Sequence, residues 1–171
     1  LMVGSADEDL MRAINALCHH LICMIISLTR LERNAFQVFR VNIAPGLRQL
    51  VLDNTVTIEG YSWSDLIKSL FNVEDLGLNI HLSNHFDARC MRHMPGNLVY
   101  FHLNIIDNRL DQDDDITYPS TVLAAVLDNL SDSRAKKSLR YLRPDTDQEE
   151  ITDELAHVET IIKFSNLEGL T

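Results

Sequence analysis

The sequence predicts a mainly α fold, a helical bundle organised on one long N-terminal helix over Asp7–Asn42. A small β element is expected between residues 55 and 106, with α+β as the alternative class. Three observations lead there. Leu10, Ile14, Leu17, Leu21, Met24, Leu28, Leu31, Ala35 and Val38 follow one another at alternating spacings of four and three, the a/d seam of a heptad pattern. Gly and Pro together number only ten, about half their usual share of roughly 12%, which argues against a many-turned β sandwich. The 171 residues, 46% of them hydrophobic, suffice for one compact domain.

In chain order, Ser5 with Glu8 forms a capping box for the first helix. Ile22, Ile25, Ile26, Phe36 and Phe39 widen its apolar stripe beyond a two-stranded seam, so the helix should run through a bundle core. Asn42 to Pro45 should end it, and a second helix restarts at Pro45 with Leu47, Leu50 and Val51 on one side as far as Asn54. Thr55 to Gly60 is β-branched and alternating, a short strand or extended link. Ser62 caps a helix carrying Leu66, Ile67, Leu70 and Phe71.

Leu76, Leu78, Ile80 and Leu82 alternate with polar or small residues, a strand period, and Leu98 to Ile106 follows a Pro95-Gly96 turn signal and can pair with it. The Leu98, Phe101, Ile105 spacing fits a helix as well. Ser120 opens a helix with Leu123, Val126, Leu127 and Leu130 on one stripe. After Ser131-Asp132-Ser133 a second helix runs through Leu139 and Leu142 and closes at Pro144. Thr146 with Glu149 repeats the capping box ahead of a seam of Ile151, Leu155, Val158 and Ile162. No internal repeat period emerges, which weighs against a solenoid. Residues 1–4 are read as linker and 5–171 as a single helical domain.

Charge and cysteine use bound the function. Fifteen basic against 25 acidic residues give a net charge of −10, which disfavours nucleic acid and anionic membranes over the surface as a whole. An odd cysteine count (Cys18, Cys23, Cys90) without C-x-x-C spacing suits a reducing, intracellular compartment. The apolar run from Leu17 to Leu28 is shorter than the ~20 residues a bilayer requires and contains His19 and His20, so no membrane span is expected. Asn129-Leu130-Ser131 matches a glycosylation acceptor but lies in an expected helix.

Four constellations carry candidate chemistry. His81, His85, Cys90 and His93 bring zinc-ligand chemistry into one short span, with Cys18, His19 and Cys23 as further donors. Their order matches no standard finger spacing, and surface histidines around a buried cysteine are the ordinary explanation. Asp111, Asp113 and Asp115 imitate the opening of a calcium loop, but Ile116 stands where a Gly belongs and Val122 where a Glu does. Arg134, Lys136, Lys137, Arg140 and Arg143 form the one basic patch, with Lys136, Arg140 and Arg143 on one face of a helix 134–143 that can grip nucleic acid or an acidic or phosphorylated partner. The acidic run 145–154 can instead neutralise it. Arg89 and His93, one helical turn apart, are an anion stabiliser and acid/base pair of generic spacing. The glycines never cluster, so no phosphate loop or nucleophile elbow can be drawn.

The function expected from these readings is a non-catalytic protein–protein interaction, scaffold or regulatory module of a larger intracellular protein or assembly. It would bind a protein partner, or itself, through Ile22, Ile26, Phe36, Phe39, Lys136, Arg140 and Arg143. The alternatives are a zinc-binding or Arg/His-dependent nuclease-type domain, with zinc as the one conceivable cofactor, and a nucleic-acid factor using the basic helix.

Overall fold

The computed structural model describes residues 2–3, 6–18, 20–26, 30–53, 57–81, 86–106, 119–146, 161 and 163–170. Its strands are β1 (Met2–Val3), β2 (Cys23–Ile26), β3 (Arg30–Leu31), β4 (Gln49–Asp53), β5 (Thr57–Ile58), β6 (Asp75–His81), β7 (Tyr100–Ile106), β8 (Tyr141–Thr146) and β9 (Gly169–Leu170). Its α-helices are α1 (Glu8–Leu17), α2 (Arg33–Val38), α3 (Trp63–Ser69) and α4 (Pro119–Ser131). Seven strands form one sheet in the order β1-β2-β4-β6-β7-β8-β9, all parallel, and β3 pairs β5 in a second, two-stranded ladder. This is an α/β fold built on a parallel sheet.

Spatial order follows chain order, so each turn of chain lays its strand beside the previous one. The register makes the repeat explicit. Cys23, Gln49, Asp75, Tyr100, Tyr141 and Gly169 are successive partners. The first three intervals are 26, 26 and 25 residues, and the longer fourth one contains α4. Each new strand enters with the same hydrogen bonds, two consecutive N–H groups donating to one carbonyl of the preceding turn. Arg48 and Gln49 donate to Ile22, Glu74 and Asp75 to Arg48, Val99 and Tyr100 to Glu74, Arg140 and Tyr141 to Val99, and Glu168 and Gly169 to Arg140. The small ladder keeps the same step, from the isolated bridge at Ala6 to Leu31 and on to Ile58.

One face of the sheet makes the core. Met24, Leu50, Leu76, Phe101 and Leu142 form one buried row, and Ile26, Leu52, Leu78 and Leu103 the next. Buried residues three positions ahead of the first row (Leu47, Val73, Leu98, Leu139) turn the chain into its strand. Helices close the core from the other side: Met11 and Ile14 of α1, Ala35 and Phe36 of α2, Leu66 and Ile67 of α3, and Leu123, Val126, Leu127 and Leu130 of α4. Local chemistry sets the helix starts. Asp7 caps α1 by accepting from Leu10 N–H at 2.8 Å, and Ser62 and Asp65 form a complete capping box on α3.

The mainly α bundle is therefore overturned by the parallel sheet. The long helix Asp7–Asn42 is instead α1, β2, β3, α2 and most of a π turn over Phe39–Ile43, which a 3-10 turn over Ala44–Gly46 follows. Its heptad seam was a coincidence of pieces: Leu17 is 82% exposed, while Met24 is buried from a strand. The helix expected from Pro45 to Asn54 is β4, and the one expected through Leu139 and Leu142 is a 3-10 turn over Arg134–Lys137 followed by β8. Pro144 does not end that element. It sits within β8, beyond the two residues where β9 pairs, so among the described residues its missing N–H faces no partner strand. The absence of a repeat period is also corrected, because the turns do repeat. The capping box at Thr146–Glu149, the seam 151–162, the Asp111–Asp115 run, Ser5 and Leu28 fall on or against residues outside the described ones.

Candidate functional site

Alternation along each strand leaves the second face of the sheet open. Its side chains stand in register rows that cross the strands. One row is Cys23, Gln49, Asp75, Tyr100 and Tyr141; the next is Ile25, Val51, Gly77, His102 and Arg143; the third is Asp53, Asn79, Asn104 and Asp145. At about 4.8 Å per strand, five strands span ~19 Å. Burial follows the alternation, with Leu76 and Leu78 buried beside half-buried Asp75 and Asn79, while Gly77 between them is buried as well.

The middle of this face is a cleft of about 330 Å³ lined by Val51, Asp75, Gly77, Asn79, His102, Asn104, Arg143 and Asp145, with Leu103 beneath. Gly77 makes the cleft. A Cβ there would sit 3.1 Å from the Val51 side chain, so glycine lets Val51 lean across and keeps the floor open. To one side lie apolar Ile25 and Val51; to the other, Tyr100 and Tyr141 stack with centroids 4.7 Å apart and planes 7° from parallel. Tyr141 Oη donates to Glu168 Oε2 at 2.9 Å, and the carboxylate beside it raises the phenol above its ordinary pKa. Arg140 Nη1 holds the other oxygen of Glu168 at 2.6 Å, which fixes the aromatic pair at the rim.

The charges on the face are loosely paired. His102 Nε2 lies 3.7 Å from Asp75 Oδ1, Arg143 Nη2 lies 3.8 Å from Asp145 Oδ2, and Gln49 Nε2 is 3.5 Å from Asp75 Oδ2. Exposed pairs at such distances contribute about 0–1 kcal/mol, so a ligand can exchange them at little cost. By contrast His81 Nε2 meets Asp53 Oδ2 at 3.0 Å with both side chains largely covered, closing that corner.

The residues singled out from the sequence are dispersed by this fold. Ile26, Phe36 and Phe39 lie inside the core, whereas Ile22 is exposed beside β2. Lys136, Arg140 and Arg143 share no helix face, because Lys136 is on a 3-10 turn and Arg143 on β8; Arg143 alone reaches the open cleft. Of the zinc-type set, His81 pairs with Asp53, Cys90 is buried in a 3-10 helix over Ala88–His93, His93 is exposed at its end, and His85 lies outside the described residues. Burial pushes the Cys90 thiol up to about 12, leaving it protonated. Among the described residues, no three His, Cys, Asp or Glu side chains converge as metal ligands. Arg89 is turned outward onto Asp87, with Nε–Oδ1 at 2.8 Å, so it is committed to a local pair.

Sequence reasoning missed the face itself. Its signal was present in Asp75-x-Gly77-x-Asn79 and Tyr100-x-His102-x-Asn104, polar residues alternating with the core row, but a one-sided sheet must be recognised before such residues become neighbours. The fold defines a class, an α/β solenoid with one sheet face covered by its connections and the other open. Sequence comparison finds no matching protein family and no matching curated protein. Among the described residues, no helix is long and apolar enough to cross a membrane.

Proposed function

We propose that the chain is a non-catalytic protein-binding module that holds a segment of a partner across the open face of its sheet. The observation that carries this reading is the set of register rows over β2, β4, β6, β7 and β8, with the cleft above Gly77 at their centre. Solenoids use such extended surfaces for binding, and the Leu-x-x-Leu-x-Leu spacing at Leu47, Leu50 and Leu52 is that of leucine-rich repeats. The gradient along the middle row suggests the orientation of the partner. An apolar side chain fits over Ile25 and Val51, and a carboxylate or backbone carbonyl fits toward His102 and Arg143.

The test places a photoreactive amino acid at His102 and, in a second preparation, at Arg12 on α1, with and without Arg143→Glu. The reading expects one stoichiometric cross-linked protein from position 102 that Arg143→Glu abolishes, and none from position 12. Equal labelling from both positions, or labelling indifferent to Arg143→Glu, would refute it. Cross-linking between two copies, matched by a dimer in light scattering, would identify the partner as the chain itself.

A further inference from the structure

We propose that a second cleft, among the helical connections and separate from the sheet face, binds a phosphate monoester carried on an apolar or aromatic stem. The cleft encloses about 330 Å³, at the low end of the roughly 300–1,000 Å³ typical of small-ligand sites. Three successive turns of the solenoid supply its cations. Lys68 comes from the last turn of α3, Arg92 from the end of the 3-10 helix Ala88–His93, and Arg134 from the start of the turn after α4; His93 lines the cleft beside Arg92. Among the described residues, no acidic side chain lines it.

This is a local reversal of sign in a chain whose acidic residues outnumber its basic ones 25 to 15. Arg92 has only a long contact outside the cleft, Nε to Asp132 Oδ2 at 3.8 Å between exposed side chains, and among the described residues neither Lys68 nor Arg134 joins an ion pair. Asp132 by Arg92 and Asp65 by Lys68 stand outside the lining and offset these charges only in part; cations facing one cleft repel one another and concentrate a positive field that an anion relieves. Two guanidiniums beside an ammonium suit a tetrahedral dianion: each arginine can present a fork of N–H donors to phosphate oxygens, while the lysine acts as a point charge.

The rest of the lining is apolar. Ile67, Met94 and Pro95 are buried in the wall, and Phe71 stands 54% exposed at the rim, where a ring or alkyl stem can pack on it. Gly96 belongs to the same wall, and a Cβ there would already touch the Arg134 Cβ at 3.4 Å. A larger side chain would intrude on the space beside Arg134.

Calorimetric titration tests this with phenyl phosphate, inorganic phosphate, a phosphotyrosine peptide and a dinucleotide phosphodiester. The expected result is phenyl phosphate binding with Kd below about 1 mM, tighter than inorganic phosphate because of the apolar wall and weaker as salt rises. Arg134→Gln and Lys68→Gln, each checked for an unchanged circular dichroism spectrum, should weaken it by about tenfold or more, while Arg12→Gln should not. A peptide that binds more tightly than phenyl phosphate assigns the site to a phosphorylated protein side chain; equal affinities assign it to a small phosphorylated molecule. Absence of monoester binding, indifference to both substitutions, or equal affinity for the phosphodiester would overturn the proposal.

Discussion

Val51 and Leu52 are adjacent, and the two architectures assign them opposite fates, which makes them a sharp test. In a helix from Pro45 to Asn54, Leu47, Leu50 and Val51 face the core and Leu52 points away. In β4 the order reverses: Leu52 is wholly buried between Ile26 and Leu78 in the register row, while Val51 lies on the open face. Leu52→Ala removes buried methyl and methylene groups worth about 0.8 kcal/mol per carbon and leaves a cavity that its neighbours fill only in part. The expected loss is about 2–5 kcal/mol, a large share of the roughly 5–15 kcal/mol by which domains are stable. Val51→Ala gives up part of one contact with the strand beside it and some strand preference, at most about 1 kcal/mol. Urea unfolding followed by the fluorescence of Trp63, the only tryptophan, gives both values from midpoint and slope. If Val51→Ala costs as much as Leu52→Ala or more, the alternation that defines the open face is wrong, and the candidate binding surface goes with it.

Other expectations follow from single contacts. Ser62→Ala removes the hydroxyl that accepts from Asp65 N–H and should cost about 1 kcal/mol in the same urea assay. Asp65 accepts from the backbone N–H and hydroxyl of Ser62, which hold its carboxyl below its ordinary pKa. Its share of stability is therefore present above the unfolded value of 3.8 and lost as pH falls through the lower folded one, so Asp65→Asn should flatten the acid side of a stability–pH profile. Cys18 and Cys23 are exposed and should react with a thiol reagent in the native protein, while buried Cys90 should react only after denaturant is added; fast native labelling of all three would contradict the core position of Cys90. Gly60 has φ of +72°, so Gly60→Ala should destabilise by about 1 kcal/mol in thermal unfolding, through the left-handed backbone alone.

Several features of the fold were readable from residues close together in the chain. The capped start of α3 at Ser62, the stripe of α4 and the two alternating stretches that became β6 and β7 need only a short window, because side-chain hydrogen bonds and a period of two act between near neighbours. Net charge and the lack of a long apolar run were equally direct. The first quarter was not decidable in this way. Leu21, Met24 and Leu28 satisfy a helix seam, yet Leu21, Met24 and Ile26 also satisfy the entry to a strand, and a four-residue strand is too short for periodicity to separate the two. The choice was made by partners far along the chain. Met24 is buried because Leu50 lies beside it, Leu50 because Leu76 does, and the carbonyls of Ile22, Arg48 and Glu74 receive the N–H groups of strands one turn later. Parallel strands exchange no hydrogen bonds until the intervening turn has closed, so their pairing is a property of the stacked solenoid. The open face inherits that dependence. His102, Arg143 and Asp75 are far apart in sequence, and only the register of the sheet makes them the walls of one cleft.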